Sequence, residues 1–272
     1  MTAVNETVSF LHVGTGAEAR RIAYLKCAGN DSLPGIMWLS GFHSEMTSTK
    51  ASVLADWAKR HDLSCLRFDY SAHGRSGGHS QDGSISRWLE EARAVFSTLS
   101  QGPQVLVGSS MGGYIALLLL RALLAQASPE AARIKAMVLI APAWDMTELL
   151  WTNLPGSARR AIEERGVYLR PSRYGDGPYP ITRRLIEDGR QHLIASAPFN
   201  PGRPLHVLHG LQDPDIPIEH TLDLVAHLSG DWVQVCAIPD GEHRLSRPQD
   251  LALLLQIVGR LTGIPDRAAP ES

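Results

Sequence analysis

The sequence predicts an α/β protein with a mostly parallel sheet, and three observations support this prediction. Short apolar runs typical of buried strands alternate with stretches at helical spacing along most of the 272 residues. Several runs, such as 104–107, are continuously apolar, as in parallel strands covered on both faces. A Gly-x-Ser-x-Gly sequence at 108–112 joins that run to a long apolar stretch typical of a buried helix.

Eight segments have the composition of strands. The first two flank Gly14-Thr15-Gly16 and are expected to form an opening hairpin, while most of the others are expected to lie parallel. In chain order the predicted strands are 8–13, 21–27, 35–40, 64–70, 104–109, 136–143, 204–210 and 232–238. Helical spacing of apolar residues predicts helices at 85–99, 114–125 and 251–261, so both faces of the sheet should be covered.

The alternation of strands and helices stops over residues 146–200. This segment contains helix-like pieces at 158–164 and 181–196 and a Pro-, Gly- and Tyr-rich loop at 171–180. Because it follows the carboxyl end of a predicted strand, where open α/β sheets bind ligands, we expect a small helical cap over a site. The predicted organisation is a core of 1–145 and 201–272 interrupted by this cap insertion.

Composition narrows the class of protein. Hydrophobic residues make up 44% and charged residues 20% of the chain, as in soluble globular proteins, and the net charge of −2 gives no reason to expect nucleic acid as a partner. The longest apolar run, 115–120, is far short of the roughly 18 residues that span a membrane. The first residues lack the pattern of a secretory signal, so we expect a cytoplasmic protein.

Cysteine and histidine patterns indicate neither disulfides nor a metal. Cys27, Cys65 and Cys236 all lie in strand-like runs and are expected to be buried free thiols. The chain has no Cys-x-x-Cys and no His-Glu-x-x-His, so no metal site is expected. No cofactor is expected either, because the Gly-Lys-Ser/Thr ending of a phosphate loop and the Gly-x-Gly-x-x-Gly dinucleotide motif are absent from the serine motif.

Ser110 is the candidate nucleophile. A strand, Gly-x-Ser-x-Gly and a helix in this order are typical of a nucleophile elbow, in which a strained turn exposes the serine hydroxyl. Small residues on either side allow the helix to pass close to neighbouring strands. The alternative is a glycine-rich turn with an incidental serine.

A serine hydroxyl needs a base, and the base needs an orienting acid. After an elbow the expected chain order is serine, acid, histidine. Asp213 follows a predicted strand and His243 follows the last one, so both are expected at the same sheet edge as Ser110. Asp215, two residues further on, and Asp145, after the preceding strand, remain alternatives for the acid.

Two backbone N–H groups are expected to bind the oxyanion. Met111 N–H would lie at a helix N-terminus, and Phe42 N–H follows the flexible Gly41 at the end of another strand. His43 could contact substrate or could be a solvated loop side chain. His206 and His209 are expected to be structural, as is the turn at 69–76.

Together these segments resemble the α/β-hydrolase superfamily of serine hydrolases. The resemblance extends over nearly the whole chain and rests on the sequences at 40–42, 68–71, 107–113, 209–213 and 242–244. More specific are Arg67-Phe-Asp-Tyr-Ser71, the doubled serine and glycine of the elbow, Pro171-Ser-Arg-Tyr174 and His243-Arg244. The resemblance implies an α/β-hydrolase fold with Ser110 as nucleophile, Asp213 as orienting acid, His243 as base and Phe42 and Met111 as oxyanion donors.

The expected function is a cofactor-free serine hydrolase that cleaves carboxylic esters or thioesters in a small-molecule or acylated substrate. Two alternatives remain: hydrolysis of another bond, such as a C–C, amide or peracid bond, and a non-catalytic binding module. The eight arginines of residues 146–200 could clamp a carboxylate or could form a solvated, salt-bridged face. Acyl chain length, natural substrate and oligomeric state stay open.

Overall fold

The structure is a computed structural model that describes residues 7–172, 177–230 and 233–264. The strands are β1 (Ser9–Val13), β2 (Arg20–Cys27), β3 (Gly35–Leu39), β4 (Cys65–Phe68), β5 (Gln104–Ser109), β6 (Ile134–Ile140), β7 (Val167–Arg170), β8 (Tyr179–Thr182), β9 (Leu205–Gly210) and β10 (Val233–Ile238). The helices are α1 (Thr49–Arg60), α2 (Ile85–Leu99), α3 (Met111–Ala125), α4 (Met146–Asn153), α5 (Gly156–Arg165), α6 (Arg183–Gly189), α7 (Ile218–His227) and α8 (Pro248–Thr262).

Eight of the strands form one sheet in the order β1-β2-β4-β3-β5-β6-β9-β10. Strand β2 is antiparallel to β1 and to β4, and the remaining neighbours are parallel. The predicted eight-stranded, mostly parallel sheet with an opening hairpin is therefore confirmed.

The strand predicted at 136–143 has different bounds in the structure. The segment expected at 136–143 forms β6 at Ile134–Ile140, because Ala141 turns into a positive φ of 43° and Pro142 follows it. Trp232, the first residue expected in the last strand, lies outside the described residues.

Alternate residues of the central strands face two separate cores. Val105 and Val107 of β5 pack with residues of α1 and α8 on one face, whereas Leu106 packs with residues of α2 and α3 on the other. The same alternation holds in β3, where Trp38 and Met37 belong to opposite cores. Helices thus cover both faces, which explains why the central strands are continuously apolar.

The residues between β6 and β9, which we call the cap segment (146–200), are less helical than predicted. They form α4, α5 and α6 together with a two-stranded antiparallel sheet of β7 and β8. The helix predicted at 181–196 begins only at Arg183, because Thr182 Oγ1 accepts a hydrogen bond from Leu185 N–H and caps it. It ends at Gly189, where a Cβ would lie 2.1 Å from Thr147 Oγ1 of α4.

Cys65 is buried as predicted, whereas Cys27 and Cys236 are only partly buried. Within the described residues, no helix combines the length and the apolar character needed to cross a membrane.

Candidate active site

Four loops meet at the carboxyl edge of the parallel strands. They follow β3, β5, β9 and β10 and carry Phe42, Ser110, Asp213 and His243 respectively. Because parallel strands end at the same edge, the topology alone brings these four residues to one side of the sheet.

Ser110 occupies the strained turn that the sequence predicted. It is the residue before α3, with φ 54° and ψ −118°, a combination that residues other than glycine rarely adopt. Two backbone hydrogen bonds hold it there: Ser110 N–H donates to Ile140 O at 2.8 Å, and Ala143 N–H donates to Ser110 O at 3.2 Å. The strain is therefore supported by the neighbouring strand β6 and by the loop that follows it.

The glycines beside Ser110 are required by close backbone packing. A Cβ on Gly112 would lie 2.0 Å from Leu39 O, and one on Gly108 would lie 2.4 Å from Gly112 O. These contacts with backbone atoms cannot be relieved by rotating a side chain. The motif is thus a structural requirement of this turn, which argues against an incidental glycine-rich loop.

Asp213 and His243 form a hydrogen-bonded pair. His243 Nδ1 lies 2.7 Å from Asp213 Oδ2, and the aspartate side chain is almost fully buried. The other oxygen, Oδ1, accepts hydrogen bonds from Asp215 N–H at 2.8 Å and Ile216 N–H at 2.9 Å. The bond at Nδ1 leaves Nε2 of His243 for a second partner, and Ser110 and His243 line the same cavity.

The charge on Asp213 is favoured despite its burial. Burial raises the pKa of Asp213, but the hydrogen bond and the charge of His243, together with the two backbone donors, outweigh it and leave that pKa below its usual value. An ionised Asp213 is the form that orients a histidine and stabilises the imidazolium formed in catalysis.

The two alternative acids have other contacts. Asp215 donates its backbone N–H to Asp213 and lines the cavity. Asp145 accepts hydrogen bonds from Ile194 N–H at 2.7 Å and Ala195 N–H at 3.0 Å, so it holds the far end of the cap segment. The geometry therefore favours Asp213 over both.

Asp213, Asp215 and His243 also offer one ligand atom each within 4.8 Å of one another, a spacing that could hold a metal ion. Both oxygens of Asp213 already accept hydrogen bonds, Oδ2 from His243 and Oδ1 from the amides of Asp215 and Ile216. The donor set therefore fits an acid–base pair better than a metal centre.

The two predicted oxyanion donors flank Ser110. Met111 is the first residue of α3, where backbone N–H groups lack acceptors within the helix. Gly41, the residue before Phe42, lies beside the elbow, since a Cβ there would lie 3.4 Å from Ser110 Cβ. Phe42 and Met111 both line the cavity.

The cavity has a volume of about 570 Å³ and lies between the sheet edge and the cap segment. Met146, Leu149 and Leu150 of α4 form an apolar wall, and Tyr179 of β8 closes another side. The site therefore combines polar loops from the sheet with an apolar lining from the cap segment.

The structure also gives the positions of two histidines and one turn that the sequence singled out. His43 lines the cavity, with its ring 4.5 Å from that of Tyr179, so it lies where a substrate could contact it. His209 is buried between Thr221 Oγ1 and Ile216 O, as a structural histidine should be. The turn at 69–76 is also structural, because buried Asp69 accepts from Met46 N–H and Arg75 N–H.

Sequence reasoning missed Lys50, which lines the cavity together with Arg170 and Arg244. Arg170 is one of the cap arginines, whereas Arg183 and Arg190 contact other parts of the cap segment. Arg173 and Tyr174 of the sequence Pro171-Ser-Arg-Tyr174 lie outside the described residues.

An eight-stranded sheet of this order, with a serine elbow at its centre, defines an α/β hydrolase. The chain belongs to the family described as serine aminopeptidase, S33, which matches residues 35–179. It is an enzyme of the hydrolase class, as expected from the sequence.

Three similar proteins extend the comparison over most of the chain. The palmitoyl-protein thioesterase ABHD10, mitochondrial, of Pongo abelii is 31% identical over 241 residues, which cover 88% of this chain and 76% of that protein. A crystal structure from Agrobacterium vitis S4, of a protein given only the general name of hydrolase, has 42% identity and a TM-score of 0.90 over 94% of this chain and 99% of that one. The mouse α/β hydrolase domain-containing protein 10 has 28% identity and a TM-score of 0.81, covering 94% and 98%.

The predicted resemblance to serine hydrolases of this superfamily is thus confirmed at the level of family and fold. The mitochondrial location in the relative's name belongs to that protein and does not support the cytoplasmic location predicted here.

Proposed function

We propose that this protein hydrolyses carboxylic esters or thioesters through an acyl-enzyme on Ser110. The observation that carries the proposal is a strained serine that shares one cavity with a histidine already bonded to a buried carboxylate. The name of the Pongo abelii relative, a palmitoyl-protein thioesterase, favours an acyl group as the substrate.

In the first half of the reaction, Nε2 of His243 accepts the proton of Ser110 as the hydroxyl oxygen attacks the acyl carbon. Asp213 holds the imidazole by Nδ1 and stabilises its positive charge. The negative oxygen of the tetrahedral intermediate is stabilised by the N–H groups of Phe42 and Met111, and each such donor typically contributes about 2.7–4 kcal/mol to the transition state.

The leaving alcohol or thiol then takes the proton from His243, and the acyl group remains on Ser110. In the second half, His243 removes a proton from a water molecule, which attacks the acyl carbon. Collapse of the second intermediate returns the proton to Ser110 and releases the acid. The cycle uses no group beyond the substrate, water and these residues.

The acyl chain is expected to lie along α4. Met146, Leu149 and Leu150 line the cavity with apolar side chains. Burying an apolar acyl chain against them is favourable because it removes apolar surface from water. The substrate is accordingly a small molecule or an acylated one with an apolar acyl part. We keep the cytoplasmic location as a prediction.

The test is hydrolysis of p-nitrophenyl esters from acetate to palmitate, with a palmitoyl thioester alongside. We expect Ser110→Ala to lower kcat by about 10⁶-fold, as loss of the nucleophile does in other serine enzymes. Ser109→Ala is the matched control, because it removes the neighbouring hydroxyl but keeps the elbow, and it should retain activity within about threefold. More than a tenth of the activity left in Ser110→Ala would overturn the assignment.

The family description also names an aminopeptidase, so amide hydrolysis is the second candidate. An aminoacyl p-nitroanilide in the same assay separates the two. Faster turnover of the anilide than of every ester and thioester would favour the amide reaction. No turnover of any substrate, together with no labelling by a fluorophosphonate probe, would favour the non-catalytic alternative.

A further inference from the structure

Lys50 connects α1 to the loop that carries His243, which we call the histidine loop (239–247). Its Nζ donates hydrogen bonds to the backbone carbonyl of Arg244 and to Ser246 Oγ, the latter at 3.4 Å. Arg244 directly follows His243 in the chain. Lys50 therefore holds the backbone of the residue next to the proposed base, although Lys50 and Arg244 are 194 positions apart in sequence.

The ammonium group is held in an unusual place. Lys50 is only 9% exposed, on a helix face it shares with Ala51 and Leu54, and lysine is among the residues that are rarely buried. Burial, with a smaller contribution from the positive charge of Arg244, lowers the pKa of Lys50 to about 8. The negative charges of Asp250 and Glu242 raise this pKa, but by less than burial lowers it. Burying such a group is costly unless its donors are bonded, so both bonds to the histidine loop matter to its placement.

The histidine loop needs support at this point. Leu245, between the two residues that Lys50 contacts, has a positive φ of 42°, which is strained for a leucine. The carbonyl of Arg244 also accepts from Ser246 Oγ at 3.0 Å. Lys50 of α1 binds this turn through the Arg244 carbonyl and Ser246 Oγ. At the end of the histidine loop, Arg247 binds Asp240 and Asp250.

We propose that Lys50 is a positioning residue that fixes the histidine loop so that Nε2 of His243 faces Ser110. The inference rests on the proposed function for its catalytic consequence. Small displacements of a catalytic group are costly, since a misplacement of about 1 Å can lower a rate by 10²-fold. Loss of the tether should therefore slow the chemical step and leave substrate binding largely unchanged.

The test is Lys50→Met, which keeps the buried stem but removes the donors. We expect kcat for the best p-nitrophenyl ester to fall about 30-fold or more, with KM within about threefold, and the rate of fluorophosphonate labelling to fall with kcat. Lys59→Met is the matched control, because Lys59 is exposed at the end of the same helix. A kcat within twofold of the wild type would overturn the proposal. A raised KM with unchanged kcat would overturn it too, because it would make Lys50 a substrate contact.

A second measurement tests the tether without activity. Amide hydrogen exchange in residues 239–247, followed by mass spectrometry, should be faster in Lys50→Met than in Lys59→Met. Unchanged exchange would contradict the tether even if the enzyme cleaved no ester, so failure of this inference is distinguishable from failure of the proposed function. Should Lys50→Met fail to fold, Lys50→Gln, whose shorter side chain keeps a polar group but withdraws it from the histidine loop, should show the same two effects; with neither effect, the proposal fails.

Discussion

The strand-end loops and the cap segment enclose the same cavity but are held in different ways. Ser110 is fixed by backbone hydrogen bonds to β6 and to the loop after it, and by glycines that admit no side chain. The cap segment is held mainly by side chains: Asp145 binds the backbone at 194–195, and Arg121 of α3 binds the carbonyls of His192 and Leu193. Within it, residues around Leu154 and Ile162 form a small apolar cluster that also packs against Phe42.

This difference suggests different roles for the two regions in the proposed reaction. Backbone contacts are insensitive to most substitutions, so the strand-end loops are suited to carry the chemistry. Side-chain contacts change with single substitutions, so the cap segment is suited to vary the substrate. Substitutions in the strand-end loops should therefore change the rate of the chemical step, and substitutions in the cap segment should change its attachment or the choice of substrate.

The largest effect is expected in the loop after β9. Asp213→Asn should lower kcat/KM by about 10⁴-fold, because an amide donor at this position favours the wrong tautomer of His243. Asp215→Asn should lower it by less than about tenfold, because its side chain does not bear the bond to Nδ1. The measurement is ester hydrolysis by both purified variants. Equal losses in the two would mean that Asp215 shares the role of the acid.

The next effect concerns the attachment of the cap segment. Asp145→Ala should lower the free energy of unfolding by about 2–4 kcal/mol, because two hydrogen bonds to a charged acceptor are lost and two amides are left without it. Urea denaturation measures this loss. Glu148→Ala is the control: it removes an exposed ion pair with Arg190 and should cost less than about 1 kcal/mol. A cost for Asp145→Ala no larger than that of Glu148→Ala would show that these two hydrogen bonds do not hold the cap segment.

The same contrast explains what the sequence could predict. The elbow, Asp213 and His243 were predictable because parallel strands end at one edge, so chain order and motif fix their relative placement. The hairpin of β7 and β8 was not, because its strands have only four residues each and are separated by a Pro- and Gly-rich loop. Lys50 was missed for another reason: its contact joins residues far apart in sequence, and no local pattern encodes it.

A smaller effect should follow from filling the apolar wall. Leu149→Trp adds volume to the cavity lining of α4, so kcat/KM for a long acyl chain should fall about tenfold while that for acetate stays within about threefold. The p-nitrophenyl ester series measures both. Leu169→Trp is the control, because Leu169 is exposed on β7 of the same segment. A uniform loss over all chain lengths would place the acyl chain elsewhere.

The smallest effect is in the acid stability of the strand-end loops. The pKa of Asp213 in the folded protein lies below its usual value, because His243 and the amides of Asp215 and Ile216 outweigh burial. A carboxylate of this kind stabilises the fold above its unfolded pKa of about 3.9, and the contribution is lost as the pH falls through the lower folded value. On acidification below about pH 3.9, the difference in Tm between the wild type and Asp213→Asn should therefore shift in the direction of a relatively less stable wild type.

Thermal unfolding of both proteins over this pH range makes the measurement, and Ser110→Ala is the control because it changes no titrating group. A difference that stays constant down to pH 2 would mean that folding does not favour the Asp213 carboxylate. The bond to His243 would then be balanced by the cost of burial. The strand-end loops would owe their stability to the backbone alone, which would make the contrast with the side-chain-held cap segment sharper still.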